Sequence, residues 1–133
     1  MAIQYSTTVR NAELDAIETA ISTTPTLTIV SGAAPATCAT ANSGTILVTM
    51  TLPSDWMAAA SSGSKAKAGT WQDTSADASG TAAHFRIHQG TTCHIQGTVT
   101  LTSGGGDMEL DNTNIASGQQ VTISTFTITA GNA

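Results

Sequence analysis

Apolar and polar residues alternate most regularly between residues 82 and 101, on both sides of a turn centred on Gly90. Period-two alternation around a glycine-containing turn predicts a half-buried antiparallel hairpin. A three-residue loop would pair Ile87 with Cys93 on the core face, whereas a slip of one residue would turn one apolar set toward water. The opposite face then carries five polar side chains: His84, Arg86, His88, His94 and Gln96. We interpret this polar face as a candidate contact surface.

Residues 6–22 have the periodicity of an amphipathic helix. Its apolar face consists of three aliphatic residues: Leu14, Ile17 and Ile21. Ser6 or Thr7 can cap the start, and Thr24-Pro25 ends the helix because the residue before proline is disfavoured in helical conformation. So narrow an apolar face must be buried to be stable, and the helix packs either on the chain's own sheet or on a neighbouring subunit.

Short alternating segments separated by turns rich in Gly, Ser and Ala predict seven or eight strands. Besides the hairpin, these segments are residues 26–30, 45–52, 70–72, 107–111 and 119–129. The last segment changes phase between Ile123 and Phe126, which predicts either a bulge or a strand that is covered on both faces. Residues 61–69, which hold both lysines, are predicted to form a flexible loop.

Strands dominate this pattern and do not alternate with helices. The predicted fold is therefore mainly β, an antiparallel β-sandwich or jelly roll with one N-terminal α-helix. We expect residues 1–25 to form the N-terminal arm and helix, and residues 26–133 to form the sandwich, in a single compact domain overall.

The chain has a net charge of −5, and its few cations are scattered. A protein that holds nucleic acid through phosphates needs a basic stripe, so we expect no nucleic-acid partner. No apolar run approaches the roughly 20 residues of a membrane span, so we expect no membrane partner. The first residues lack the basic and apolar regions of a secretion signal, which predicts synthesis in the cytoplasm with reduced cysteines. The sequence does not decide whether Cys38 and Cys93 later form a disulfide.

The polar residues match no catalytic or metal-binding motif. Arg86 lies among the histidines of the hairpin and opposes a cation there, so we expect no metal. Asp107, Glu109 and Asp111 lack the glycine and distal glutamate of a calcium-binding loop, and we interpret them as an acidic, solvent-facing strand. Because nucleophile-elbow and phosphate-loop motifs are also missing, we predict no enzyme activity and no cofactor.

Three parts of the chain carry a resemblance: residues 6–18, residues 85–87 with 95–99, and residues 118–129. They resemble small structural proteins encoded near the head genes of tailed bacteriophages, and the resemblance covers nearly the whole chain. It implies a virion component, in particular a capsid decoration (cement) protein of β-sandwich or jelly-roll type. It also implies a place on the capsid exterior after synthesis in the host cytoplasm.

The resemblance implies contacts with the major capsid protein and with copies of the same chain, as a dimer or trimer on the particle. Many weak contacts repeated by symmetry bind strongly together. We expect the arm, the helix and the polar hairpin face to make these contacts. Besides the polar hairpin residues, the candidates are Ile3, Tyr5, Arg10, Leu14, Ile17 and Ile21. Deleting residues 1–22 should then abolish particle binding and leave the sandwich folded.

The alternative is a tail- or fibre-associated structural module or adhesin that binds carbohydrate. Trp56 and Trp71 are the side chains that would stack on a sugar, and their exposure at neighbouring positions would favour this alternative. Two tryptophans in a small β domain are more often core residues, and we interpret them as core.

Overall fold

The structure, a computed structural model, describes residues 2–131 and contains one helix and ten strands within them. The helix α1 spans Thr7–Ile21. The strands are β1 (Thr26–Ser31), β2 (Ile46–Thr51), β3 (Ser64–Ala66), β4 (Trp71–Asp73), β5 (Gly80–Gln89), β6 (Thr92–Leu101), β7 (Met108–Leu110), β8 (Asn114–Ile115), β9 (Val121–Ile123) and β10 (Thr127–Thr129). The fold is mainly β with one N-terminal helix, as the sequence predicts.

The largest sheet has six strands. β2, β1, β5, β6 and β7 follow one another across it, and β8 pairs with the start of β5. Two smaller sheets pair β3 with β10 and β4 with β9. These pairs are antiparallel except that β6 and β7 run parallel, so the large sheet is mixed at this edge. Buried side chains from the sheets and from α1 form one core, which is the predicted sandwich arrangement.

Four aromatic rings link the sheets at the centre of this core. The ring centroids of Trp56 and Trp71 lie 6.1 Å apart. Phe126 lies 5.5 Å from Trp71 on one side and 5.5 Å from Phe85 on the other. Both tryptophans are completely buried, which confirms that they are core residues.

The hairpin forms, but its register differs from the predicted one. A two-residue turn, Gly90-Thr91, joins β5 to β6, and Ile87 pairs with Ile95. The register then shifts, so that His88 pairs with Cys93. The predicted pairing of Ile87 with Cys93 is therefore wrong. A two-residue turn matches the twist of the strands, and the extra residue of the bulge reverses the facing of the strand next to it.

The helix packs on the chain's own sheets, which decides between the two alternatives. Ser6 caps it, and its hydroxyl accepts a hydrogen bond from the N–H of Val9 at 3.3 Å. Leu14 and Ile21 are buried against the rest of the domain, and Ile17 is half-buried. The apolar face predicted from the sequence thus becomes part of the core.

Residues 61–69 do not form the predicted flexible loop, because they contain β3, which pairs with β10. Lys65 at the centre of β3 is only 2% exposed. Its three ammonium hydrogens meet three acceptors, at 2.7 Å in Asp15, 2.8 Å in Glu18 and 2.8 Å in the carbonyl of Ala58. A lysine is buried here because α1 supplies two carboxylates from a distant part of the chain.

Residues 119–129 form two strands instead of one bulged strand. β9 pairs with β4 and β10 pairs with β3, and residues 124–126 connect them. Because the two strands have partners in different sheets, the chain can change phase between them. The apolar side chains on both sides of the break therefore face inward: Val121, Ile123 and Phe126 are buried and Ile128 is half-buried.

Candidate functional site

Residues 32–44, which we call the covering loop, lie over the polar face of the hairpin. Both ring nitrogens of His84 contact this loop, at 2.7 Å from the carbonyl oxygen of Gly32 and 3.2 Å from Oδ1 of Asn42. His84 consequently has no exposed surface. The chain itself therefore covers part of the face that the sequence presented as a contact surface.

Arg86 and Gln96 pair directly across β5 and β6, and both reach the covering loop. Nη2 of Arg86 donates to the carbonyl oxygens of Cys38 at 2.6 Å and Thr40 at 2.9 Å. Nε2 of Gln96 donates to the carbonyl oxygen of Pro35 at 2.8 Å. Loop carbonyls thus satisfy both donors of Nη2 of Arg86, a residue that is only 3% exposed.

A disulfide between Cys38 and Cys93 ties the covering loop to β6. The Cα atoms lie 5.3 Å apart, within the usual range for a bridge. The Sγ of Cys93 also accepts a hydrogen bond from Nε of Arg86 at 3.4 Å. The predicted core position of Cys93 is therefore wrong, because the bulge in β6 turns this residue toward the polar face.

A pocket of about 340 Å³ lies between the covering loop and the hairpin, and we call it the Arg86 pocket. Its lining includes Cys38, Thr40, Asn42, Arg86, His88 and Thr91. Burial, together with the charges of Arg86 and His94, lowers the pKa of His88 below its usual 6.5. Arg86 thus places a positive charge beside a half-buried imidazole in this pocket.

A larger cavity of about 450 Å³, which we call the edge groove, lies between β6, β10 and α1. Its apolar lining consists of Ile17, Phe85, Ile95, Phe126 and Ile128. Thr127 and Thr129 of β10 line it as well, and so does Gln96 of β6. The groove therefore combines an apolar floor with two strands as walls.

Among residues 2–131, no further strand pairs with β10, or with β6 around Gln96, on the side that faces this groove. The carbonyl of Phe126 and the N–H of Ala130 bond toward β3, so the main-chain groups of Thr127 and Thr129 point the other way. On β6, only residues 99–101 pair with β7. The N–H of Thr98 marks the outer edge of β6 because it donates to Asp107 there, and the main chain of Gln96 shares that edge.

The predicted contact residues of the helix are used within the chain. Leu14 and Ile21 are core residues, and Ile17 lines the edge groove. Arg10 donates through Nε and Nη2 to the carbonyl oxygen of Ala130, at 3.1 and 2.8 Å. These contacts anchor α1 to its own domain.

The N-terminal arm, residues 2–5, instead presents apolar surface to solvent. Ile3 is 77% exposed and Tyr5 is 47% exposed, and Val9 in the first turns of α1 adds to this surface at 43%. On the hairpin, His94 is exposed, whereas His88 and Gln96 are half-buried beside the covering loop. Ile3, Tyr5 and His94 are thus the predicted contact residues that remain most accessible.

The acidic residues around β7 stabilise turns. Oδ2 of Asp107 accepts hydrogen bonds from the N–H and hydroxyl of Thr98 at 2.9 and 3.0 Å. The carboxylate of Glu109 accepts from the N–H groups of Ser103 and Gly105. Among residues 2–131, no three His, Cys, Asp or Glu side chains converge as metal ligands would.

The sequence did not predict that the covering loop lies over the hairpin, because its small residues have no periodicity. The two cysteines were the one available signal, since a pair of cysteines in a chain can be tested as a bridge. They could not by themselves indicate that Arg86 and His84 lie underneath.

Comparison of the chain with protein-family models, with curated proteins and with solved structures finds no match. In the part of the chain that the structure covers, no helix has the length and apolar character of a membrane span. The fold and site define a β-sandwich domain with a docked N-terminal helix, an apolar arm and a disulfide-tied loop.

Proposed function

We propose that this protein is a non-enzymatic structural component of tailed-phage virions, which decorates the capsid and cements it by contacts with the major capsid protein and with neighbouring copies. The observation that carries the proposal is the apolar arm. Ile3, Tyr5 and Val9 are exposed, although the rest of the domain buries most of its large apolar residues. Exposed apolar surface of this kind is typical of a contact site.

The low charge of the chain supports the same function. Only 10% of the residues are charged. The centres of protein interfaces are depleted in charged residues, because charges are costly to desolvate. Repetition of modest contacts by capsid symmetry would make the whole array strong.

The edge groove offers a place for the arm of a neighbouring copy. An extended segment adds to a free strand edge by main-chain hydrogen bonds, while its alternate side chains fill pockets. Ile3 and Tyr5 occupy alternate positions, so an extended arm turns both toward the floor formed by Phe85 and Phe126.

The geometry favours a neighbour's groove over the arm's own. Ile17, which lines the groove, lies roughly 15 Å along the helix from Thr7. An arm of four residues spans at most about 14 Å. It would have to fold straight back along α1 to reach Ile17 in the groove of its own chain.

Capsids from particles that lack this protein test the proposed function. Deletion of residues 2–5, or Ile3→Ser, should abolish most cosedimentation with these capsids, and Ile3→Ser should leave thermal unfolding unchanged. Ile46→Ser is the matched control, because Ile46 is equally apolar and 43% exposed but lies on β2. Normal coating by the arm-deleted protein would refute the proposal.

Deletion of residues 1–22 is a poorer test of docking than a change in the arm alone. α1 supplies the core residues Leu14 and Ile21 and the carboxylates that neutralise Lys65. Removing it would expose apolar surface and leave a buried charge, so loss of binding would not separate docking from unfolding.

A peptide of residues 1–8 tests the groove separately. Added to the arm-deleted protein, it should shift the amide NMR signals of Gln96, Thr127 and Thr129, and the peptide with Ile3→Ser should bind more weakly. If these amides do not move, copies do not contact each other through the groove, whatever the capsid assay shows.

The adhesin alternative receives no support from the tryptophans. Trp56 and Trp71 lie near each other, but both are buried in the core and cannot stack on a sugar without unfolding. A glycan array with the intact protein would test this alternative.

A further inference from the structure

Arg86 is a buried cation that no acidic side chain neutralises in the described part of the chain. It is 3% exposed, yet the two ion pairs among residues 2–131 both belong to Lys65. The charges that act on the neighbouring His88 are also cationic, those of Arg86 and His94. A buried charge is costly unless an opposite charge or several hydrogen bonds compensate it.

The guanidinium of Arg86 retains unused donors. Three of its five N–H groups are occupied, by Sγ of Cys93 and by the carbonyl oxygens of Cys38 and Thr40. Nη1 has no hydrogen-bond partner among residues 2–131. In this part of the chain, the one side-chain N or O atom that is both inaccessible to solvent and without a hydrogen-bond partner is Oε1 of Gln96. Nη1 is therefore not sealed, and it opens to the Arg86 pocket that its own residue lines.

We propose that the Arg86 pocket binds a small oxyanion, a carboxylate or a phosphate group, through the two free donors of Nη1. Arginine forms strong, charge-assisted hydrogen bonds with both groups. The hydroxyl of Thr91 and the ring of His88 also line the pocket and can donate to further oxygens. A volume of about 340 Å³ holds either group.

The electrostatics of the pocket agree with this ligand. Besides burial, the charges of Arg86 and His94 lower the pKa of His88, and the same charges attract an anion. The carbonyls of Cys38 and Thr40 hold the guanidinium in place without cancelling its charge. Since the site lies within one chain, it does not depend on the virion function proposed above.

The bound oxyanion can belong to a free anion or to the acidic side chain of a protein partner. Inorganic phosphate and acetate represent the first source. A blocked Gly-Asp-Gly tripeptide represents the second, with blocked Gly-Asn-Gly as its uncharged control. Binding of the free anions shows that a free ligand suffices, whereas binding of the Asp peptide alone assigns the site to a side chain.

His88 reports occupancy in NMR titrations of the full chain at constant ionic strength. A bound anion should shift its ring signals saturably and raise its pKa, because it supplies the opposite charge. His84 is the internal control, since it is sealed beneath the covering loop. The absence of a saturable shift at His88 with every probe would overturn the proposal.

Two variants separate a site from general charge attraction. Arg86→Gln should weaken binding by about tenfold or more, and Lys67→Gln, which changes the net charge equally but lies outside the pocket, should leave it unchanged. Equal weakening by both would overturn the proposal. Because Arg86 also holds the covering loop, Thr91→Val is a gentler second variant, and it should weaken binding several-fold with the fold intact.

Discussion

Nζ of Lys65 lies 2.7 Å from Oδ1 of Asp15, and this ion pair joins β3 to a helix residue 50 positions earlier. Burial disfavours the charged ammonium, but the hydrogen bonds to Asp15 and Glu18 outweigh it and raise the pKa of Lys65 above 10.5. Lys65, with the N–H of Ala60, also lowers the pKa of Asp15 below 3.8. This stabilisation is therefore lost as the pH falls below 3.8 or rises above 10.5.

Lys65→Ala should lower the free energy of unfolding by about 2–4 kcal/mol, because it empties buried space and removes the attachment of α1. Lys65→Met should cost less, since it fills the space and removes the buried charge. Urea unfolding measures both. Glu13→Gln is the control, because Glu13 is exposed on the same helix outside this ion-pair cluster. Equal stability of Lys65→Ala and the wild type would contradict the assigned role.

His88 should make the stability of the domain pH-dependent near neutrality. Burial, Arg86 and His94 lower its folded-state pKa below 6.5, so the unfolded chain binds this proton more readily. The contribution is fully present above pH 6.5 and is lost as the pH falls through the lowered pKa. Unfolding midpoints from about pH 8 to about pH 5 should therefore fall, and His88→Gln should flatten the profile. Identical profiles for the two proteins would exclude this role for His88.

Reduction of the Cys38–Cys93 bridge should lower the free energy of unfolding by about 2–4 kcal/mol, because the bridge closes a long loop in the unfolded chain. The two cysteines are 55 positions apart. Urea unfolding with and without reductant measures the effect, and the double variant Cys38→Ala/Cys93→Ala should not respond to reductant. An unchanged urea midpoint, in protein in which both free thiols have been detected after reduction, would contradict the prediction.

Gly97→Ala should destabilise the hairpin. A Cβ at this position would lie 2.8 Å from Oδ2 of Asp107 and 2.8 Å from Cε1 of Phe85, whose ring is held in the core. Overpacking of this kind costs about 1–3 kcal/mol. Gly131→Ala is the matched control, because among residues 2–131 no heavy atom beyond its chain neighbours lies within 4 Å of its added Cβ. Equal unfolding midpoints for the two variants would show that β6 shifts to accommodate the added Cβ.

The helix and the hairpin, which are determined by residues close together in the sequence, were predictable. The helix was expected over residues 6–22 and spans Thr7–Ile21, because its cap and its apolar spacing are local features. The hairpin was expected for the same reason. Its register was not predictable, since a single bulge reverses which side chains face the core, and alternation alone does not reveal where the bulge lies.

Sequence by itself therefore determined the class of fold, the helix and the burial of Trp56 and Trp71, because periodicity and side-chain size act locally. Only the tertiary structure decided that Lys65 is buried, that Cys38 meets Cys93 and that the covering loop encloses Arg86. These contacts join residues about 50 positions apart. Which residues meet depends on the charges and hydrogen-bond donors that distant segments can satisfy in each other. The spacing of residues along the sequence does not reveal this.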